Sequence, residues 1–222
     1  MQYTKTALEV LKETSRTFYI PIVKLPAQVQ KAVASAYLCL RAIDEVEDHA
    51  SLTNPTKADI LRSISYTLQT FSPESAEDSL RWDWHGKEGD LPEVTLRLAE
   101  WIFLCPAEVR ARVVDCTATM ADRMAWWAAR NWRIDSEQDL DVYTFAVAGA
   151  VGLILCEIWE WFEGIKTNRS LAIGYGRALQ SINILRNSGE DKERGVSFYP
   201  PGWTQKEVKL MQGRCWPTVG AT

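Results

Sequence analysis

Between Tyr37 and His49 the chain reads Tyr-Leu-Cys-Leu-Arg-Ala-Ile-Asp-Glu-Val-Glu-Asp-His, with Tyr37, Arg41, Asp44 and Asp48 spaced four, three and four residues apart. On an α-helix those steps put a phenol, a guanidinium and two carboxylates on one face. Leu38, Leu40 and Ile43 supply apolar neighbours. Two carboxylates one turn apart can share a hard cation, and Mg²⁺ held this way takes its other ligands from water and phosphate. A second polar face answers the first: Gln180, Asn183, Asn187 and Asp191 fall at steps of three, four and four. If the two faces meet across a cavity, oxygen ligands line both walls and the rest of the chain is its frame.

That frame reads as all-α. Helical periodicity predicts helices over 3–13, 27–48, 57–71, 93–103, 107–131, 139–164, 170–187 and 204–211. Leu91-Pro92 and Cys105-Pro106 place proline where a helix begins. The polar stretches 72–89 and 189–201 predict loops, and His85 in the first reads as a solvated loop residue. No strand alternation or internal repeat is present. The expectation is one domain over 1–222, a bundle of about eight helices.

Hydrophobic residues make up 46% of the chain and charged residues 24%, which suits a globular core. A net charge of -4 without a basic stripe argues against nucleic acid as a partner. The cysteines, Cys39, Cys105, Cys116, Cys156 and Cys215, form no CxxC pair, so free thiols in a reducing cytosol are expected. Lys5, Glu9, Lys12 and Glu13 interrupt any apolar leader. The uncharged run from Val142 to Cys156 is shorter than the ~20 residues of a membrane span and reads as a buried core helix. Trp126, Trp127 and Trp132 read as an aromatic core cluster. The small residues around Gly149 and Gly152 call for close approach, by another helix or by an extended ligand. Ser15, Arg16 and Thr17 stand at a helix end, where cap chemistry is the favoured reading of the loop alone and phosphate binding the alternative.

Four motifs in order resemble the squalene/phytoene synthase family of head-to-head prenyl diphosphate synthases. Ser15-Arg-Thr-Phe18 looks like its hydroxyl-rich flap, and Tyr37…Arg41…Asp44…Asp48 like its first aspartate-rich motif. Tyr143…Val147-Ala-Gly149-Ala-Val-Gly152 resembles its mid-chain motif, and Gln180…Asn183-Ile-Leu-Arg186…Glu190-Asp191 with Tyr199-Pro200 its second aspartate-rich motif. The resemblance implies an isoprenoid-synthase fold around a central cavity. It implies Mg²⁺ held by Asp44, Asp48 and Asp191, with Asn183 and Asn187 beside them. Prenyl diphosphate would meet Arg41, Arg186 and Arg194, with Ser15, Arg16, Thr17 and Phe18 closing over it. Tyr37, Tyr143 and Gln180 would face the reacting carbons, and Val147 and Gly152 the hydrocarbon.

Two features depart from the family pattern. Asn187 stands where the family has aspartate, removing one negative charge. About 20 residues follow Tyr199-Pro200, where family members continue for several helices; a domain closed differently, a fragment and a naturally shortened form are the alternatives. The implied activity is condensation of two allylic diphosphates of fifteen or twenty carbons. A phosphatase or terpene synthase that quenches one cation with water, and a non-catalytic helical assembly protein, are the competing readings. No glycine-rich dinucleotide fingerprint indicates NADPH. Peripheral membrane contact and oligomeric state stay open.

Overall fold

The computed structural model describes residues 4–15, 17–72, 77, 80–193 and 197–215; the side chains of 190, 192, 193, 212, 214 and 215 lie outside it. All regular structure among these residues is helical: α1 (Ala7–Ser15), α2 (Tyr19–Ile22), α3 (Ala27–Asp48), α4 (Asn54–Gln69), α5 (Glu93–Leu96), α6 (Leu98–Leu104), α7 (Ala107–Ala129), α8 (Glu137–Thr144), a π-helical turn (Phe145–Gly149), α9 (Ala150–Glu163), α10 (Arg169–Glu193) and α11 (Gln205–Cys215).

Helix α3 is the hub, in contact with α1, α2, α4, α5, α6, α7 and α9. Leu38, Cys39, Ala42, Ile43 and Val46 bury its inner face. Buried hydroxyls satisfy backbone carbonyls across helix pairs. Ser35 Oγ donates to Trp101 O at 2.7 Å, Thr95 Oγ1 to Ala42 O at 2.8 Å, and Ser65 Oγ to Ala118 O at 2.9 Å. A hydroxyl buried without such a partner costs about 1–3 kcal/mol, so these bonds favour one helix register over others.

Several expected boundaries move. The helix expected over 93–103 breaks at Arg97, whose buried guanidinium pairs with Glu93 and Glu100 at 2.5 Å and lies 4.4 Å from the Trp101 ring centre. The loop expected to begin at Gly189 is instead helix: α10 continues to Glu193. The helix over 139–164 forms, but with the π turn inserted after Thr144. The N-terminal helix starts at Ala7, and the last one runs on to Cys215.

Two core expectations are corrected. Trp127 and Trp132 are buried, but Trp126 is 47% exposed, with Arg130 over its ring at 4.5 Å. The run from Val142 to Cys156 is buried on one side only, Val142 and Leu155 facing outward. Glu137–Glu163 is long and apolar enough to cross a membrane by length and composition, with 39% of its apolar window buried. Of the two readings of the small residues, helix packing is the one observed. A Cβ on Gly152 would fall on the Ala172 carbonyl, and one on Gly176 on the Ala148 carbonyl. Bare glycine lets α10 lie directly on α9 and the π turn. Cys39, Cys105, Cys116 and Cys156 are free thiols.

Candidate functional site

One cavity of about 1000 Å³ gathers both polar faces. From α3 it takes Tyr37, Arg41, Asp44, Glu47 and Asp48. From α10 it takes Gln180, Asn183, Arg186, Asn187 and Asp191. Ser15, Thr17 and Phe18 close one side, and Tyr143 and Val147 form part of the wall between the two helices.

Each helix presents its polar side chains because the opposite face is apolar. Tyr37 is fixed from its tip, its hydroxyl donating to Thr14 O at 3.1 Å, and its ring lies 6.0 Å from that of Phe18. Arg41 bonds Asp44 and, at 2.5 Å, Glu45. Tyr143 donates to Glu47 Oε1 at 3.3 Å, while its ring stacks on Phe198 at 4.9 Å and meets Trp127 edge-on at 5.6 Å. Lys57 Nζ, reaching in from α4, donates to the Glu47 carbonyl at 2.5 Å. On the far wall Asn183 Nδ2 donates to Gln180 Oε1, and Arg186 Nε to Asn187 Oδ1, both at 3.4 Å. Asp191 is buried.

Charge is unbalanced on the α3 wall. Burial, then the neighbouring Asp48 carboxylate, pushes Asp44 up to about 7. Burial, with Asp44 and Asp48 nearby, also lifts Glu47 well above the ordinary carboxylate range. Burial and Glu47 raise Tyr143, which stays a neutral donor. Oxygen ligands crowded in excess of local positive charge are a donor set that suits a hard divalent cation. Among the described residues no group of three or more His, Cys, Asp or Glu could hold a metal ion. Mg²⁺ is usually bound through one or two carboxylates, with water and phosphate oxygens completing its shell. Ser15 Oγ and Arg41 Nε are buried without hydrogen-bond partners, so donors for an anion stand in the same cavity.

Of the residues singled out in the sequence, Gly152 is placed elsewhere, spent on the contact with α10. Arg16 and Arg194 lie outside the described residues. The structure adds Glu47, His49, Lys57, Trp132 and Phe198 to the lining. Glu47 was within reach of the periodicity argument, three residues after Asp44 on the same face. His49 caps α3 at the end of the same stretch, whereas Lys57, Trp132 and Phe198 come from separate parts of the chain and carry no spacing signal.

Residues 11–214 match the model of the squalene/phytoene synthase family. Squalene synthase of Rattus norvegicus is 30% identical over 214 residues, covering 94% of this chain and 49% of that protein. Squalene synthase of Bos taurus is 31% identical over 217 residues, covering 93% and 49%. A ligand-bound structure of TcSQS superposes with a TM-score of 0.67 at 24% identity, over 87% of this chain and 57% of that one. A ligand-bound dehydrosqualene synthase gives 0.55 at 20% identity, over 92% and 62%. This chain spans about half the length of the curated relatives it matches.

Proposed function

The chain belongs to the squalene/phytoene synthase family, and from that premise we propose that it is a Mg²⁺-dependent prenyltransferase. In this reading it joins two allylic prenyl diphosphates head to head and releases diphosphate. The observation that carries the proposal is the meeting of the Arg41–Asp44–Asp48 face with the Gln180–Asn183–Asn187–Asp191 face across one cavity.

Asp44 and Asp48 would hold Mg²⁺ from one wall, with Asp191, Asn183 and Asn187 on the other. When bound, the ion neutralises diphosphate charge and so makes it a better leaving group. Arg41 supplies fixed positive charge to the departing oxygens, and Ser15 and Thr17 offer hydroxyl donors on the side nearest Phe18. Ionisation leaves an allylic cation. Tyr37, Phe18 and Tyr143 present aromatic faces that attract such a cation and exclude water from it. Tyr143, kept protonated and bonded to Glu47, also fixes the end of α3 that carries Asp48.

A second reading draws on Asn187, which gives the α10 wall one carboxylate fewer than the family pattern. A weaker wall could retain ionisation while a single cation is captured by water. One assay separates the two. The purified chain is incubated with farnesyl or geranylgeranyl diphosphate, with and without Mg²⁺, and extracted for mass spectrometry while pyrophosphate is measured. A coupled hydrocarbon with pyrophosphate is expected. A prenyl alcohol alone would favour the second reading, and an unconsumed substrate would refute both.

A further inference from the structure

Lys57 sits where its own helix does not favour it. Thr53 caps α4, its Oγ1 accepting from Thr56 N–H at 3.3 Å, and Lys57 N–H donates to Thr53 O at 2.9 Å. The lysine therefore belongs to the first turn of α4. The first turn carries the positive end of a helix dipole, so a cation there is unfavourable. Burial adds to the cost, because an ammonium taken out of water needs a partner. Lys57 is nonetheless only 9% exposed.

The compensation lies on α3. That helix ends at Asp48, and the last four carbonyls of a helix have no partner within it. Lys57 Nζ donates to one of them, Glu47 O, at 2.5 Å. This is the negative end of the α3 dipole. The same turn presents the carboxyl groups of Glu47 and Asp48 to the cavity that Lys57 also lines. The ammonium charge opposes the burial that lifts Glu47. Among the other described cations of the lining, Arg41 bonds Asp44 and Glu45, and Arg186 stands exposed on α10. Lys57 is the buried cation at the Asp48 end of the carboxylate wall.

We propose that Lys57 is a built-in counter-cation of this wall and makes Mg²⁺ loading depend on diphosphate. This rests on the prenyl diphosphate reading. To a lone divalent ion the ammonium presents a like charge, and it already offsets part of the attraction of Asp44, Glu47 and Asp48. To diphosphate it presents an opposite charge. The same side chain thus disfavours the ion alone and favours the ion with its anion. By linkage, each then raises the affinity of the other by the same factor. A lysine that only capped α3 would act differently: without it the last turn would loosen, and lone Mg²⁺ would bind less tightly.

The test is calorimetry of Mg²⁺ binding with and without unreactive farnesyl S-thiolodiphosphate. Wild type is compared with Lys57→Met, Lys57→Gln and Lys57→Arg. Methionine keeps the bulk without charge, glutamine keeps a neutral donor for the Glu47 carbonyl, and arginine keeps the charge. Wild type is expected to bind lone Mg²⁺ weakly, and roughly tenfold or more tightly with the analogue present. Both neutral variants are expected to bind lone Mg²⁺ more tightly than wild type, by about tenfold, and to lose most of the analogue's effect on the ion. Lys57→Arg is expected to stay close to wild type. Should Lys57→Met not fold by circular dichroism, Lys57→Gln and wild type decide. Lone Mg²⁺ binding that is unchanged or weaker in the folded neutral variants overturns the counter-cation role alone. So does wild-type binding of lone Mg²⁺ that the bound analogue does not tighten. Failure of wild type to bind the analogue at any Mg²⁺ concentration overturns the prenyl diphosphate reading, and the counter-cation role with it.

Discussion

The Tyr143 hydroxyl donates to Glu47 Oε1 at 3.3 Å, tying α8 to the last turn of α3 inside the cavity. The acceptor is a carboxylate already crowded by Asp44 and Asp48. At 3.3 Å this is a long bond for two oxygens, and an ordinary hydrogen bond contributes about 0.5–1.5 kcal/mol net. Tyr143→Phe keeps the ring contacts with Trp127 and Phe198 but leaves Glu47 short of a donor. It should lower stability by that order and slow turnover, because the carboxylate wall loses its anchor. Pairing it with Glu47→Gln in a double-mutant cycle checks this: additive effects on the denaturation midpoint would show that the two groups do not act on each other.

The same crowding sets up a trade between stability and function. Asp44, Glu47 and Asp48 sit within about one turn of one helix and face one cavity, with Arg41 bonded to Asp44 and Glu45. Asp44→Asn removes one repelling charge. With EDTA present, this variant should melt at the same temperature as wild type or above it. It should lose the rise in melting temperature that Mg²⁺ plus inorganic pyrophosphate gives wild type. An unchanged rise would remove Asp44 from the metal-binding set.

The face carrying these groups was legible because a helix fixes where steps of three and four point. Tyr37, Arg41 and Asp44 needed only that rule, and so did the α10 residues. What was not legible depends on contacts between elements. Arg97 breaks a helix without any proline or glycine, because Glu93, Glu100 and the Trp101 ring together hold its guanidinium. Lys57, Trp132 and Phe198 reach the cavity from three other parts of the chain, so no local pattern marks them. Gly189 carries the composition of a loop start, yet α10 passes through it.

Glycine positions on α10 therefore separate cleanly. Gly176 faces the Ala148 carbonyl with no room for a Cβ, whereas nothing lies within 4 Å of the position a Cβ would take at Gly189. Gly176→Ala should destabilise by roughly 1–3 kcal/mol through forced separation of α10 from the π turn. Gly189→Ala should stabilise by about 0.4–1 kcal/mol by restricting the unfolded chain. Chemical denaturation of the two variants reads both, and destabilisation by Gly189→Ala would contradict the open space there.

Buried thiols give the protein an alkaline limit. Burial pushes Cys105 up to about 11 from an ordinary value near 9, and raises Cys39 further. Above pH 9 the unfolded chain releases these protons while the folded chain keeps them, so the native state binds more protons and stability falls as pH rises. Each thiol steepens that fall by up to about 1.4 kcal/mol per pH unit until the folded group itself ionises. Cys105→Ala should flatten the loss of stability between pH 9 and about 11, measured as the shift of the urea midpoint. An identical slope in wild type and variant would mean that Cys105 ionises equally in both states.

Asn187 is the position where one substitution should strengthen the proposed activity. It lines the cavity one turn from Asn183 and one turn from buried Asp191, and its amide oxygen accepts from Arg186 at 3.4 Å. Asparagine offers a neutral oxygen to a cation and leaves the α10 wall with less negative charge than the α3 wall. Asn187→Asp adds a charged oxygen of nearly the same size, and its bond from Arg186 becomes an ion pair. Because affinity for hard cations rises with ligand charge, Mg²⁺-dependent binding of farnesyl S-thiolodiphosphate should tighten on the order of tenfold. The metal-free protein should lose stability, since a further carboxylate enters a cavity already rich in them. Asn187→Ala is the opposing control and should weaken binding. Equal Mg²⁺ dependence in all three proteins would place the ion on the α3 wall alone.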